Sequence, residues 1–86
     1  MRLLWTEAAL AQLEKLAARS PAQAAAVVRA MEWMAARDMG ELGRRVPGRR
    51  RRYWPVPPQG IYYAARRGEL IVYEVRDARR RRNPFW

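Results

Sequence analysis

Cysteine and histidine are both absent from the 86 residues. Without cysteine no disulfide can form, and without either residue the usual zinc ligand sets have no members. Neither a metal nor another cofactor is expected. Lysine is nearly missing too: Lys15 stands alone among 18 basic residues, the rest being arginine. Long apolar runs are lacking as well, and nothing resembles a signal peptide or a membrane span. A cytoplasmic protein without membrane contact is the expectation. Disorder is excluded by composition, because 50% of the residues are hydrophobic and four are Trp and four Tyr. A chain of this length makes one small domain, spanning residues 1–86.

The charge that is present is unevenly placed. Residues 1–43 balance, with Arg2, Lys15, Arg19, Arg29 and Arg37 against Glu7, Glu14, Glu32, Asp38 and Glu41. Residues 44–86 set 13 arginines against Glu69, Glu74 and Asp77, and so carry the whole net charge of +10. The planar fork of arginine suits two-point contacts with phosphate or carboxylate. The partner should therefore be a polyanion, either nucleic acid or an acidic protein.

Helical and strand periods divide the chain in the same place. Arg2-Leu3-Leu4-Trp5 reads as an opening strand. Thr6 caps a helix with Glu7 in its first turn and an apolar stripe of Leu10, Leu13 and Leu16, flanked by Ala9 and Ala17. The stretch Ser20-Pro21-Ala22-Gln23 is a second start signal, with Ser as cap, Pro at the first position and Gln closing a capping box. That helix should run from about Pro21 to Asp38 with Ala24, Val27, Val28, Met31, Met34 and Ala35 inward, and Gly40 should stop it. Beyond Gly43 the pattern becomes that of strands. Residues 49–57 contain Pro55 and Pro57, so this strand should lie at an edge or carry a bulge. Ile61–Ala65 and Leu70–Val75 form a hairpin about a tight turn at residues 66–69. The expected class is α+β, in the order β-α-α-β-β-β: a helical hairpin packed on a small, mostly antiparallel sheet.

Five stretches carry a resemblance: "WTEAALAQLEKL", "GRRVPG", "RRYWPVPPQGIYY", "ELIVYEV" and "DARR". In order and spacing, from Leu3 to Arg80, the chain resembles the RelE/ParE superfamily of toxins from bacterial type II toxin–antitoxin modules. The resemblance implies an acidic antitoxin as partner. It also implies one of two targets: ribosome-bound mRNA, cleaved as RelE-type toxins do, or DNA gyrase, poisoned by binding alone as ParE-type toxins do. RelE-type ribonucleases begin their third strand with a Tyr-Arg pair whose arginine grips the scissile phosphate; this chain has Gln59-Gly60. Their C-terminal tyrosine is matched here only by Phe85, which lacks the hydroxyl. Arg51 or Arg52 can stand for one lysine of the family's basic pair, and Arg79 or Arg80 for the arginine after the last strand. The gyrase-directed reading is therefore preferred, with mRNA cleavage, or a plain nucleic-acid-binding module without toxicity, as alternatives.

The basic clusters Arg49–Arg52, Arg66–Arg67 and Arg79–Arg82, the last made of Arg79, Arg80, Arg81 and Arg82, should merge into one polyanion-binding patch. The first includes Arg49, Arg50, Arg51 and Arg52, and the simpler reading of such a run is a charged guard on a sheet edge. RNA cleavage would also need a base. Arginine does not deprotonate near neutral pH, which leaves Glu69, Glu74, Asp77, Tyr53, Tyr62, Tyr63 and Tyr73. Asp77, two residues before Arg79, is placed best, although an intramolecular salt bridge is the favoured explanation of it. The catalytic candidates are thus Arg51, Arg52, Asp77, Arg79 and Arg80. Tyr62, Tyr63, Tyr73, Trp54 and Trp33 are expected mainly in helix–sheet packing. Tyr62 and Tyr63 are neighbours on one strand, so one of them should leave the core and face the basic side. Tyr62, with Phe85 and Trp86, is a candidate partner contact.

Overall fold

The computed structural model describes residues 1–79; Arg80, Arg81, Arg82, Phe85 and Trp86 lie outside the described residues. The elements are β1 (Arg2–Trp5), α1 (Glu7–Arg19), α2 (Pro21–Ala36), β2 (Arg44–Arg45), β3 (Arg52–Val56), β4 (Gln59–Arg66) and β5 (Glu69–Asp77). The strands form one sheet in the order β1-β5-β4-β3-β2. Among the described residues only the β1–β5 pair is parallel. The fold is α+β, a helical hairpin on a mostly antiparallel sheet, as the sequence pattern indicates. The short strand β2 is an addition, paired with Arg52 and Tyr53 alone.

Thr6 caps α1 by accepting the Ala9 amide at 3.1 Å. The buried stripe of α1 is Ala9 and Leu16, with Leu13 packed beside them. Leu10 is 45% exposed, contrary to the expected stripe. It stands one residue, about 100° of helix, from the Ala9–Leu13–Leu16 line, and Gln12 takes the sheet-facing place instead. Ala17 is exposed as well.

Ser20 both ends α1 and caps α2. Its amide donates to the Leu16 carbonyl at 2.7 Å and its hydroxyl accepts from the Gln23 amide at 3.4 Å. The reciprocal half of the expected capping box does not form, because the Ser20 amide is already taken. The Gln23 amide group instead donates to the Val56 and Pro57 carbonyls at 3.0 Å each, tying the hairpin to the β3–β4 turn. Helix α2 buries Ala24, Val27, Met31, Met34 and Ala35 of the expected stripe, while Val28 is only half-buried. It ends at Ala36, earlier than expected, because Asp38 adopts the left-handed conformation at φ 54°. The Met39 amide then reaches the Met34 carbonyl and the Asp38 amide the Ala35 carbonyl, the paired bonds of a Schellman stop. Gly40 is not that stop. It is glycine because a Cβ there would collide with the Ala65 methyl.

On the sheet, Pro55 pairs with Gly60 beyond the end of two-residue β2, so its missing N–H falls on an uncovered stretch. Arg67 and Gly68 both have positive φ, 52° and 75°, which gives the β4–β5 hairpin a two-residue turn matched to strand twist. A bulge interrupts β4–β5: Tyr62 faces Glu74 and Tyr63 faces Val72, leaving Tyr73 as the extra residue. Strand β1 stops opposite Val72. From there α1 side chains take over the β5 edge: the Thr6 hydroxyl donates to the Tyr73 carbonyl at 3.3 Å, and the Gln12 carbonyl oxygen accepts the Val75 amide at 2.6 Å. No helix among the described residues is long and apolar enough to cross a membrane.

Candidate anion-binding face

The sheet has one face under the helices and one without helical cover. Ile61, Tyr63, Leu70, Val72 and Val75 point to the helices and join the α2 residues in the main core. The alternate residues make the open face. Tyr53 and Tyr62 lie there, and with Val46 they form a second, small core. Their rings are 5.3 Å apart and inclined at 56°. Tyr62 and Tyr63 are therefore both buried, at 3% and 0% exposure. As expected of one of the pair, Tyr62 leaves the main core and turns to the open basic face, but that face carries a core of its own, so Tyr62 offers no exposed ring for a base or a partner to stack on.

Gly60 makes this second core possible. It lies on the open face, and any Cβ there would run into the Tyr53 ring and hydroxyl. The Arg44 guanidinium covers the other side, 5.4 Å from the Tyr53 ring centre. Burial pushes the Tyr53 phenol above its ordinary pKa, with the neighbouring Tyr62 adding to the effect and Arg44 opposing it. Burial raises Tyr63 likewise. Both phenols hold their protons more firmly than free tyrosine does.

The arginines separate by face and by end. Arg51 lies over the open face, its guanidinium 4.4 Å from the Tyr73 ring centre and 3.1 Å from Glu74 Oε2. Arg76 approaches the same carboxylate at Oε1, 3.0 Å from its Nε. The bulge sets Tyr73 and Glu74 side by side for this. Arg52, one residue on from Arg51, donates instead to the Glu41 and Gly43 carbonyls at 3.1 and 2.9 Å and pins the α2–β2 loop. Arg49 and Arg50 are exposed in the β2–β3 loop. Arg66 and Arg67 sit at that same end, lining a groove of about 430 Å³ with Asp38, Glu41 and Met1. Arg79 is at the other end, since Asp77 pairs with Gln59 there. The eight residues of β4 run between the two ends, roughly 23 Å at strand spacing.

Asp77 accepts from Arg79 three times: from the backbone amide at 2.9 Å, from Nε at 3.0 Å and from Nη2 at 2.8 Å. The side-chain bonds and the Asp77 charge raise the Arg79 pKa, and they make the intramolecular ion pair expected of Asp77. Arg51, Arg44 and Arg76 lie on the open face between the two ends, Arg44 level with Glu74 across the Tyr53–Tyr62 register. Sequence reasoning did not single out Arg44 or Arg76. Arg76 was legible as the alternation Glu74-Val75-Arg76, whereas Arg44 depended on the short strand β2. Among the described residues no three of His, Cys, Asp or Glu come together as a metal site would require. Comparison of the chain with protein-family models and with curated protein sequences gives no match.

Proposed function

We propose that the chain is the toxin of a type II toxin–antitoxin pair, acting in the cytoplasm by binding through its open basic face, with DNA gyrase as the preferred target. One observation carries the binding mode: Glu74 and Asp77, two of the three carboxylates of the basic half, are engaged by arginines. A general base must be able to take a proton from its substrate, and a carboxylate clamped by guanidinium is a poor one. The buried phenols of Tyr53 and Tyr63 are equally unsuited. Gly60 adds to this reading, because the phosphate-gripping arginine that RelE-type ribonucleases carry there would displace Tyr53. An acidic antitoxin suits the unbalanced positive charge. The order of elements, which is β-α-α-β-β-β apart from the two-residue β2, is in keeping with the superfamily.

The test is inducible expression with and without a neighbouring acidic reading frame, followed by mapping of mRNA ends and assay of DNA supercoiling. Growth arrest with lost gyrase activity, intact mRNA and rescue by the partner is the expected result. Codon-positioned mRNA cleavage that disappears in Arg51→Ala/Arg79→Ala chains would establish the ribonuclease reading instead. Nucleic-acid binding without growth arrest would leave a non-toxic binding module.

A further inference from the structure

Glu74 is an acidic side chain on the open face, held from two sides by Arg51 and Arg76. Its carboxylate spans Arg51 Nη1 at 3.1 Å and Arg76 Nε at 3.0 Å, one oxygen to each. Its own exposure is 25%, and Arg76 is half exposed. Ion pairs this close to water are weakly held, and each guanidinium has more donors than one carboxylate oxygen uses. The arrangement is an oxyanion site occupied by the protein's own side chain.

The surroundings tell which oxyanion would replace it. Leu4 and Ile71 are register partners on the open face, opposite in direction to Leu3 and Leu70 of the core, and both are only half-buried. They put apolar surface on the same face as these arginines. A single-stranded nucleic acid would want exposed aromatic faces. Here Arg51 covers Tyr73, and Tyr53 and Tyr62 are buried. Apolar surface on the same face as arginines is complementary to a polypeptide that alternates apolar and acidic residues.

We propose that Glu74 is a built-in counter-ion: it holds the place between Arg51 and Arg76 that a carboxylate from an acidic, amphipathic partner segment takes on binding. Glu74 thereby sets how tightly this face binds. The inference rests on the reading of the face as a binding surface, and it goes further in naming the residue that competes with the partner.

The experiment uses the full chain and a fluorescein-labelled peptide of alternating Glu and Leu, with anisotropy followed as KCl is raised. Glu74→Gln keeps the shape and removes the competing charge, and it should tighten peptide binding by about tenfold as two part-exposed pairs are released. Glu14→Gln, the same charge change on an exposed turn of α1, should alter affinity by less than about twofold. Adding Arg76→Gln to Glu74→Gln should cancel the gain. Should Glu74→Gln fail to fold by circular dichroism, Glu74→Asp, whose shorter arm cannot reach both arginines, gives the same readout with a smaller gain. Equal gains in the Glu74 and Glu14 variants, or none in either, would overturn the inference while leaving the binding surface intact. A larger gain for single-stranded RNA than for the peptide would overturn the choice of partner. Failure of the native chain and every variant to bind peptide or RNA would remove the binding-surface reading itself.

Discussion

The two faces of the sheet solve opposite problems with the same residue types. Under the helices, tyrosine and arginine serve the fold. Tyr63 is fully buried, donates to the Gly40 carbonyl and accepts the Gly43 amide, both at 2.8 Å, while Arg52 closes the same loop from its rim. On the open face, tyrosines form a platform and arginines lie on it, as Arg44 does on Tyr53 and Arg51 on Tyr73. Arg51 and Arg52 are adjacent in sequence, yet one is a surface cation and the other a loop brace. The pleat of a strand sends neighbours to opposite sides, so the face, and not the residue type, decides the task.

Tyr63→Phe should strike the helix face hardest. It leaves a buried amide and a buried carbonyl without partners, at about 1–3 kcal/mol each, and urea unfolding should show a loss of roughly 2–4 kcal/mol. A loss under about 1 kcal/mol would mean that water reaches the loop and that the two faces are less distinct than described. The same tyrosine gives the contrast a pH signature. Burial raises the folded-state pKa of Tyr63 and Tyr53 above the ordinary value near 10. The neutral phenols are thus favoured by folding, and their contribution is complete below about pH 10. Stability should then fall as pH rises through the higher folded values, and Tyr63→Phe should flatten that alkaline decline.

Gly60→Ala attacks the platform of the open face. Its methyl meets the Tyr53 ring, and forcing an extra carbon into a packed site costs about 1–3 kcal/mol. Gly60→Arg should behave no better, so gain of nuclease activity from that change is not expected. Stability equal to native in Gly60→Ala would show that Tyr53 moves aside at little cost. Arg52→Gln removes charged bonds to two carbonyls and should cost on the order of 1–2 kcal/mol. Arg51→Gln should change stability by less than about 1 kcal/mol, because its ion pair is part-exposed, while weakening peptide binding more than Arg52→Gln does. If the two arginine variants exchanged these profiles, the division of labour between the faces would be wrong.

Much of the fold was legible because it rests on local rules. Thr6 and Ser20 are short polar caps ahead of apolar periods, Arg67-Gly68 is a turn that tolerates positive φ, and two-fold alternation marks β4 and β5. The stop of α2 was misread because Asp38 takes the left-handed place that glycine more often holds, while Gly40 answers to a contact from β4. The apolar stripe of α1 was set one position off at Leu10, since only packing on β5 shows that the sheet takes Ala9 and Gln12. The basic character of the second half was plain from composition. Which arginines lie on one surface was not.

Sequence alone determined the element types, the confinement of the net positive charge to residues 44–86, and the absence of disulfide chemistry, because composition, caps and hydrophobic period act over a few residues. Tertiary structure decided the rest. It brought Glu74 between Arg51 and Arg76, turned Arg52 onto a loop 9 and 11 residues away, and gave the open face its own core over Gly60. Those outcomes depend on strand order, on one bulge and on which face meets the helices. Each is fixed by packing between segments far apart in the chain, where no local pattern reaches.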